Sequence, residues 1–400
     1  MLSVCLLWGW MMRTRQHVFI VAAEKSGDEL GAGLARQLRE QTGGQITLSA
    51  IGGSALAGEG LDSPIDISPL SILGFTEGLK AYPIIMDRVY RTADFIIESG
   101  AGAAVLIDSW GFMMRVAKRL RKKGFGGKII KYVAPQVWAM REGRSKILAA
   151  YVDALLTIHS FDAPYFTRHG LKTIYVGNPV FDMDYQCGDG AGLRSRFGIG
   201  PDTPVLCVLF GSRLSEIQKL AAPFADAVAR LKREMPDLAI VAPVSDTITE
   251  DVLAAAGTYP ALQDVIMLGE NQKLDCFAAA DTALACSGTV TTQLACAGVP
   301  TVVAYRLNTL TYLIAKRLFK PAYISIVNIA ADAALMPEFM QDDCTGENLA
   351  AAALAYLHNE EKREQASRAL LAQTAKMRGD KTRSSSARAA RAVLDLLKPT

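Results

Sequence analysis

The chain has 400 residues, of which 50% are hydrophobic and 21% charged. At roughly 150 residues per domain this predicts two to three folded domains and excludes a disordered polymer. The net charge of +3, from 43 basic and 40 acidic residues, is too small for a dedicated nucleic-acid binder, and no apolar run reaches the roughly 18 residues of a membrane-spanning helix.

Residues 1–16 are expected to be an N-terminal extension. Leu2 to Met12 is apolar, and Arg13 and Arg15 follow it. A secretory signal has its basic residues ahead of the apolar stretch, so secretion is not predicted. Val18 to Ala22 predicts a strand, Glu24-Lys25-Ser26-Gly27-Asp28 a tight loop, and the pattern through Leu38 a helix. Ile46 to Ile51 reads as a second strand, Ala103 to Ile107 as a third ending at Asp108, and Phe112 to Lys123 as a helix. Lys128 to Val133, Ala154 to Ile158 and Thr173 to Val176 read as further strands. Strands alternating with helical stretches predict a parallel sheet covered on both faces.

Residues 181–204 carry glycines and little periodicity and are expected to be a linker between a first α/β domain at 17–180 and a second at 205–375. In the second, Val205 to Leu209 is a strand, Gly211-Ser212-Arg213 a turn and Glu216 to Arg233 a long helix. Leu238 to Ala242, Asp264 to Leu268, Asp281 to Ala285 and Val299 to Tyr305 are further strands, and Ser287-Gly288-Thr289 opens a helix to Ala297. Residues 376–400 are expected to form a helical tail. The simplest architecture is two Rossmann-like α/β domains facing a cleft.

Three strand-to-helix junctions place small residues where a helix begins: Ser26-Gly27, Gly211-Ser212 and Ser287-Gly288-Thr289. Such junctions let an anionic group approach free backbone N–H groups, where the helix dipole favours negative charge. Arg213 can add a bidentate guanidinium for a diphosphate, and Glu216 can hold that guanidinium or a sugar hydroxyl. No GxxxxGK[ST] or post-strand GxGxxG is present. Asp182-Met183-Asp184 sits in the expected linker and not after a core strand, so no metal site is expected, nor any cofactor. Seven cysteines include no CxxC pair; this fits a reducing compartment, and Cys276, Cys286 and Cys296 read as small buried residues. His159 reads as structural. Arg115, Lys118, Arg119, Arg121, Lys122, Lys123, Lys128 and Lys131 form a run of cations without an intervening acid. This run is either a solvated face or a surface for anionic headgroups, and Tyr312 to Tyr323 offers a second amphipathic patch.

In order along the chain, Ala23 to Asp28, Leu70 to Gly74, Tyr132 to Arg141, Phe210 to Glu216, Ser287 to Thr289, Val302 to Arg306 and Ser325 to Asn328 are similar to the motifs of one family. From about residue 17 to about 390 the chain resembles the lipid-A-disaccharide synthases, the family-19 glycosyltransferases. The resemblance implies a GT-B fold and an inverting, metal-independent reaction. That reaction joins UDP-2,3-diacylglucosamine to 2,3-diacylglucosamine 1-phosphate and releases UDP. It implies that Gly211, Ser212, Arg213, Glu216, Ser287, Gly288, Thr289, Gln293 and Asn328 bind the donor, and that Ser26, Gly27 and Asp28 form an acceptor-side loop. It places the protein in the cytoplasm, peripherally on the inner membrane, with a homodimer as a further expectation.

The departures bear on the base. Gly111 stands where the family's strand-end motif carries its second Asp, a candidate base. Asp108 and Glu24 are therefore the candidate catalytic carboxylates here. Gln293 replaces a glutamate, Asn178 a histidine, Phe210 a proline and Lys25 an alanine. Two readings follow: an active transferase using a different base, or a diverged paralogue that still binds a nucleotide-sugar or lipid while its acceptor has changed or its catalysis is lost.

Overall fold

The computed structural model describes residues 16–67, 78–245, 248–308, 312, 317, 319, 321–379 and 382–398. The expected extension at 1–16 (save residue 16), the motif segment Leu70 to Gly74 and half of the patch Tyr312 to Tyr323 lie outside them. The chain divides into two units, Met1–Pro179 with Asp380–Thr400, and Val180–Gly379.

The first unit is built on a six-stranded parallel sheet. Its strands are β1 (Gln16–Ala22), β2 (Ile46–Ile51), β3 (Ala103–Ile107), β4 (Lys128–Tyr132), β5 (Ala154–Thr157) and β6 (Lys172–Tyr175), in the order β2-β1-β3-β4-β5-β6. Alternate residues of β1 enter opposite cores. Phe19 and Val21 join one cluster with Val116 and Leu120, while Val18 and Ile20 join the other with Leu34 and Leu38. This two-sided burial explains the continuous apolar runs, each buried Val or Leu contributing about 1.5–3 kcal/mol.

The second unit repeats the plan with β7 (Val205–Leu209), β8 (Ala239–Val244), β9 (Ile266–Gly269), β10 (Thr282–Cys286), β11 (Thr301–Tyr305) and β12 (Glu338–Met340). The order is β12-β11-β10-β7-β8-β9, and every pairing is parallel. Leu206 and Val208 pack to one face, with Phe224 and Val228 of the helix Leu214–Glu234. Val205, Cys207 and Leu209 pack to the other.

Two boundaries differ from the sequence reading. Residues 181–204 are not a free linker but part of the second unit, where Phe181, Tyr185 and Leu193 are buried in its core. The glycines there serve close approach and not freedom. A Cβ on Gly188 would stand 2.0 Å from the Leu274 carbonyl oxygen, and one on Gly190 would stand 2.5 Å from the Ala278 carbonyl. The tail at 376–400 is also divided. The helix Glu360–Arg378 belongs to the second unit and stops at Gly379, whose φ is +66°. The helix Ser385–Leu396, capped by Ser384 on the Ala387 N–H, packs in the first unit against the helix Lys25–Gln41. Gly33 permits that contact, since a Cβ there would lie 2.6 Å from Ser386 Oγ.

Candidate functional site

In each sheet the chain leaves one strand in opposite directions, which opens a crevice at the carboxyl ends of two neighbouring strands. Open parallel sheets bind ligands at such points. In the first unit the point lies between β1 and β3, and in the second between β7 and β10. The loops after these four strands carry Glu24 to Gly27, Asp108 to Gly111, Gly211 to Arg213, and Ser287 to Thr289. The fold therefore brings these four loops to one crevice in each unit.

In the second unit, Glu216 organises the turn after β7. Its Oε2 accepts from the Ser212 N–H at 2.8 Å, and its Oε1 accepts from Arg213 Nη1 at 2.9 Å. Glu216 is largely buried, while the Arg213 side chain is 76% exposed and free to meet a ligand. Gly211 has φ +110°, and a Cβ there would collide with Glu216 at 2.4 Å, so both conformation and space demand glycine. The field of Glu216 and Arg213 reaches Cys286 at the end of β10 and Tyr305 at the end of β11, so the three strand ends converge. Burial pushes the Cys286 thiol up to about 12, which keeps it protonated and unreactive. Gly288 and Thr289 are exposed at the start of the helix Thr289–Ala297, with Ser287 half-buried. The Gln293 side chain bonds the Tyr185 hydroxyl.

Two predicted site residues are used differently from the expectation. Asn328 is fully buried. Its amide donates to the Met336 carbonyl at 2.7 Å and to Glu338 Oε1 at 2.8 Å, and its Oδ1 accepts from the Met336 N–H at 3.0 Å. Its side chain braces the loop that leads to β12. Asp28 is likewise buried, and its carboxylate accepts from the N–H groups of Gly53 and Ala55, both at 2.7 Å. It caps the short helix Ser54–Gly58, leaving Ser26 as the exposed member of its loop. Glu338 is a site-building residue that sequence reasoning passes over. Its carboxylate gathers Ile324 N–H, Ser325 N–H, Ser325 Oγ–H and Asn328 Nδ2–H.

In the first unit, Glu24 is exposed at the start of the helix Lys25–Gln41, and its side chain caps nothing. Asp108 is half-buried, with φ +51°, and Ser109 follows at +35°. Non-glycine residues rarely hold such angles, and strain of this kind gathers at functional sites. Gly111 lies on the exposed side of the next helical turn, and its carbonyl accepts from Arg115 Nη1 at 2.6 Å. A Cβ there would meet only Arg115 Nη1, at 3.5 Å, so the backbone accommodates an aspartate. Lys131 leaves the surface cation run, for it is 1% exposed inside β4. Arg121 and Lys123 pair with Asp153 and Asp94. His159 is half-buried and stacked on Phe161 at 5.2 Å, and desolvation pulls its imidazole down to about 4. It is neutral at physiological pH and held as a structural ring.

The profile of the lipid-A-disaccharide synthetase family matches residues 18–393. The chain belongs to this family. It is 41% identical to the lipid-A-disaccharide synthase of Paramagnetospirillum magneticum, over 95% of this chain and 97% of the relative. It is 38% identical to that of Rhodospirillum centenum, over 95% and 94%. Among solved structures, the S. aureus MnaA–UDP co-structure superposes with a TM-score of 0.64 at 13% identity, covering 95% of this chain and 97% of that one. UDP-GlcNAc 2-epimerase from Neisseria meningitidis bound to UDP-GlcNAc gives 0.62 at 10% identity, over 96% and 99%. These likenesses show the fold, two Rossmann-like units of GT-B type. As a member of the lipid-A-disaccharide synthetase family, the chain is a hexosyltransferase of lipid A disaccharide synthesis. The diverged-paralogue reading is not favoured.

Proposed function

We propose that the second unit holds a UDP-sugar donor at the crevice between β7 and β10, and that the first unit presents an acylated phosphosugar acceptor to a carboxylate at the crevice between β1 and β3. The observation that carries the reading is the Gly211–Glu216 turn. There a buried carboxylate aims an exposed arginine beside two helix N-termini. Arg213, Ser212 N–H and the start of the helix Thr289–Ala297 stabilise the negative charge that grows on the departing UDP. Asp108, or Glu24 beside it, takes the proton of the acceptor hydroxyl as its oxygen attacks the anomeric carbon. Inversion follows, and the C–O bond to UDP breaks with its electron pair.

Both substrates are acylated, and the first unit offers a surface suited to a bilayer. Tyr82, Ile84 and Tyr90 are exposed at 52%, 46% and 44% on the helix Gly78–Glu98. Beside them Arg115 lies 6.0 Å from the Tyr82 ring centroid and Arg119 lies 4.7 Å from that of Tyr90. Aromatic rings interleaved with cations suit an anionic headgroup layer. Among the described residues no helix is long and apolar enough to cross a membrane. The proposal is therefore attachment to the cytoplasmic face of the inner membrane.

The test is transfer by the purified full chain on detergent-solubilised UDP-2,3-diacylglucosamine and 2,3-diacylglucosamine 1-phosphate. Arg213→Ala is expected to lower kcat/KM by about 100-fold, the scale of one charge-assisted contact to a leaving group, with little change in melting temperature. Asp108→Asn is expected to abolish turnover while UDP still binds. Full activity in Asp108→Asn and loss in Glu24→Gln would move the base to Glu24. Full activity in both would overturn the assignment of the base to this crevice.

A further inference from the structure

We propose that Lys131 is a positioning residue for Asp108, its buried ammonium fastening the left-handed turn that carries the carboxylate and supplying the countercharge beneath it. The inference rests on the reading that Asp108 serves the acceptor. Lys131 is the fourth residue of β4, in the run Lys-Ile-Ile-Lys-Tyr, and is 1% exposed between apolar neighbours. A charged amine in such a place is costly unless its hydrogen bonds and charge are answered, and an aliphatic side chain would fill the volume more cheaply.

Here the ammonium is answered in a particular way. Nζ donates to the carbonyl oxygens of Tyr132 at 2.8 Å and Val133 at 2.9 Å. The same Tyr132 carbonyl accepts the N–H of Asp108 at 2.9 Å, so one oxygen ties the lysine to the backbone of the candidate base. Three strained residues surround this oxygen: Asp108 at φ +51°, Ser109 at +35° and Val133 at +72°. A β-branched residue at positive φ is a clear outlier, held only where its surroundings over-determine it. The Val133 N–H is fixed to the Leu156 carbonyl at 3.0 Å, and its carbonyl to Lys131. The lysine thus locks β4's end in the conformation against which the Asp108 turn is hung.

The charged groups that act on this ammonium are Asp108 from the end of β3 and Glu24 from the end of β1. Burial pulls its pKa down to about 7, and the two carboxylates oppose that fall. Below about pH 7 the amine is charged. Its positive charge then acts at the turn that carries the carboxylate.

The experiment uses the full chain with Lys131→Met, which keeps the volume and removes the charge, beside Asp108→Asn and the double variant. The expected result for Lys131→Met is a 10- to 100-fold loss of kcat, with KM for both substrates within twofold. Wild-type kcat should also fall as pH rises through about 7, where the ammonium loses its charge, and that fall should be absent from Lys131→Met. The double variant should be no slower than Asp108→Asn alone. Wild-type kcat and an unchanged pH profile in Lys131→Met would overturn the proposal. So would losses that multiply in the double variant, since the lysine would then act independently of Asp108. Lys131→Gln, which keeps a donor for the carbonyls, is read by the same criteria if Lys131→Met does not fold. Full activity in Asp108→Asn would instead defeat the assignment of Asp108 itself, whatever Lys131 does.

Discussion

Replacing Gly211 by alanine tests the donor turn at its tightest point. The φ of +110° lies where an L side chain is strained, which costs about 1–3 kcal/mol. The new Cβ would stand 2.4 Å from Glu216 Oε2 and 2.8 Å from Glu216 Cβ. The second contact is close to the helix backbone, so a rotation at the tip of the glutamate cannot relieve it. Glu216 must move, and its 2.8 Å bond from the Ser212 N–H goes with it. A bond to a carboxylate contributes about 1.5–3 kcal/mol, and water recovers part of that at this exposed N–H. A total of about 2–4 kcal/mol follows, or roughly 5–10 °C in the melting of a unit of this size. Because Ser212 N–H and Arg213 both lose their alignment, UDP affinity should fall 10- to 100-fold, about 1.4–2.8 kcal/mol. Scanning calorimetry and titration calorimetry with UDP read the two effects. An alanine variant melting within 1 °C of wild type and binding UDP within twofold would refute the account of the turn.

Two further outcomes are expected. Asn328→Ala should strand the Met336 backbone and remove one of the donors to Glu338 Oε1, costing about 2–4 kcal/mol by chemical denaturation, while the folded fraction binds UDP within a few-fold of wild type. A drop in affinity without a drop in stability would return Asn328 to the donor contacts. Burial lifts the Asp162 carboxyl to about 7, opposed by Trp138 and the His159 backbone. Its folded pKa is above its unfolded one, so its contribution to stability is full below about pH 4 and is lost as pH rises through about 7. Asp162→Asn, which cannot ionise, should therefore gain on wild type by a few kcal/mol between pH 5 and pH 8. A gap that stays constant over that range would contradict the burial argument.

Much of the fold is legible because the strands of both sheets are buried on two faces. Val205 to Leu209 and Ala103 to Ile107 are continuous apolar runs, and the structure gives the same limits. The helix Gly78–Glu98 is less visible because Pro83 and exposed aromatics interrupt its pattern, although the buried Val89, Ala93 and Ile96 mark its inner face. The strand Glu338–Met340 is three residues long, too short for a periodic signal. At the site, small residues at helix starts reveal the crevices, since that spacing follows from local backbone geometry. The inward roles of Asp28 and Asn328 were hidden because their partners, Gly53 and Met336, are fixed by tertiary packing. Lys131 groups with the surface cations in the sequence for the same reason. It closes a basic stretch of the chain, but in space it faces two backbone carbonyls and the field of two carboxylates.

The return of the helix Ser385–Leu396 to the first unit bears on how the protein is made. Ala389, Ala390 and Val393 complete a core that also contains Val18, Leu34 and Ile107, so the first unit closes with residues that emerge from the ribosome after the whole of the second unit. The second unit lies within one uninterrupted stretch and can condense while the first still waits with one apolar face uncovered. Translation order and unit order are therefore reversed in their completion. A nascent chain stalled before residue 385 should expose the face of the helix Lys25–Gln41 to chaperones, whereas a stall before residue 180 should lack even the connection needed to bring the missing piece home.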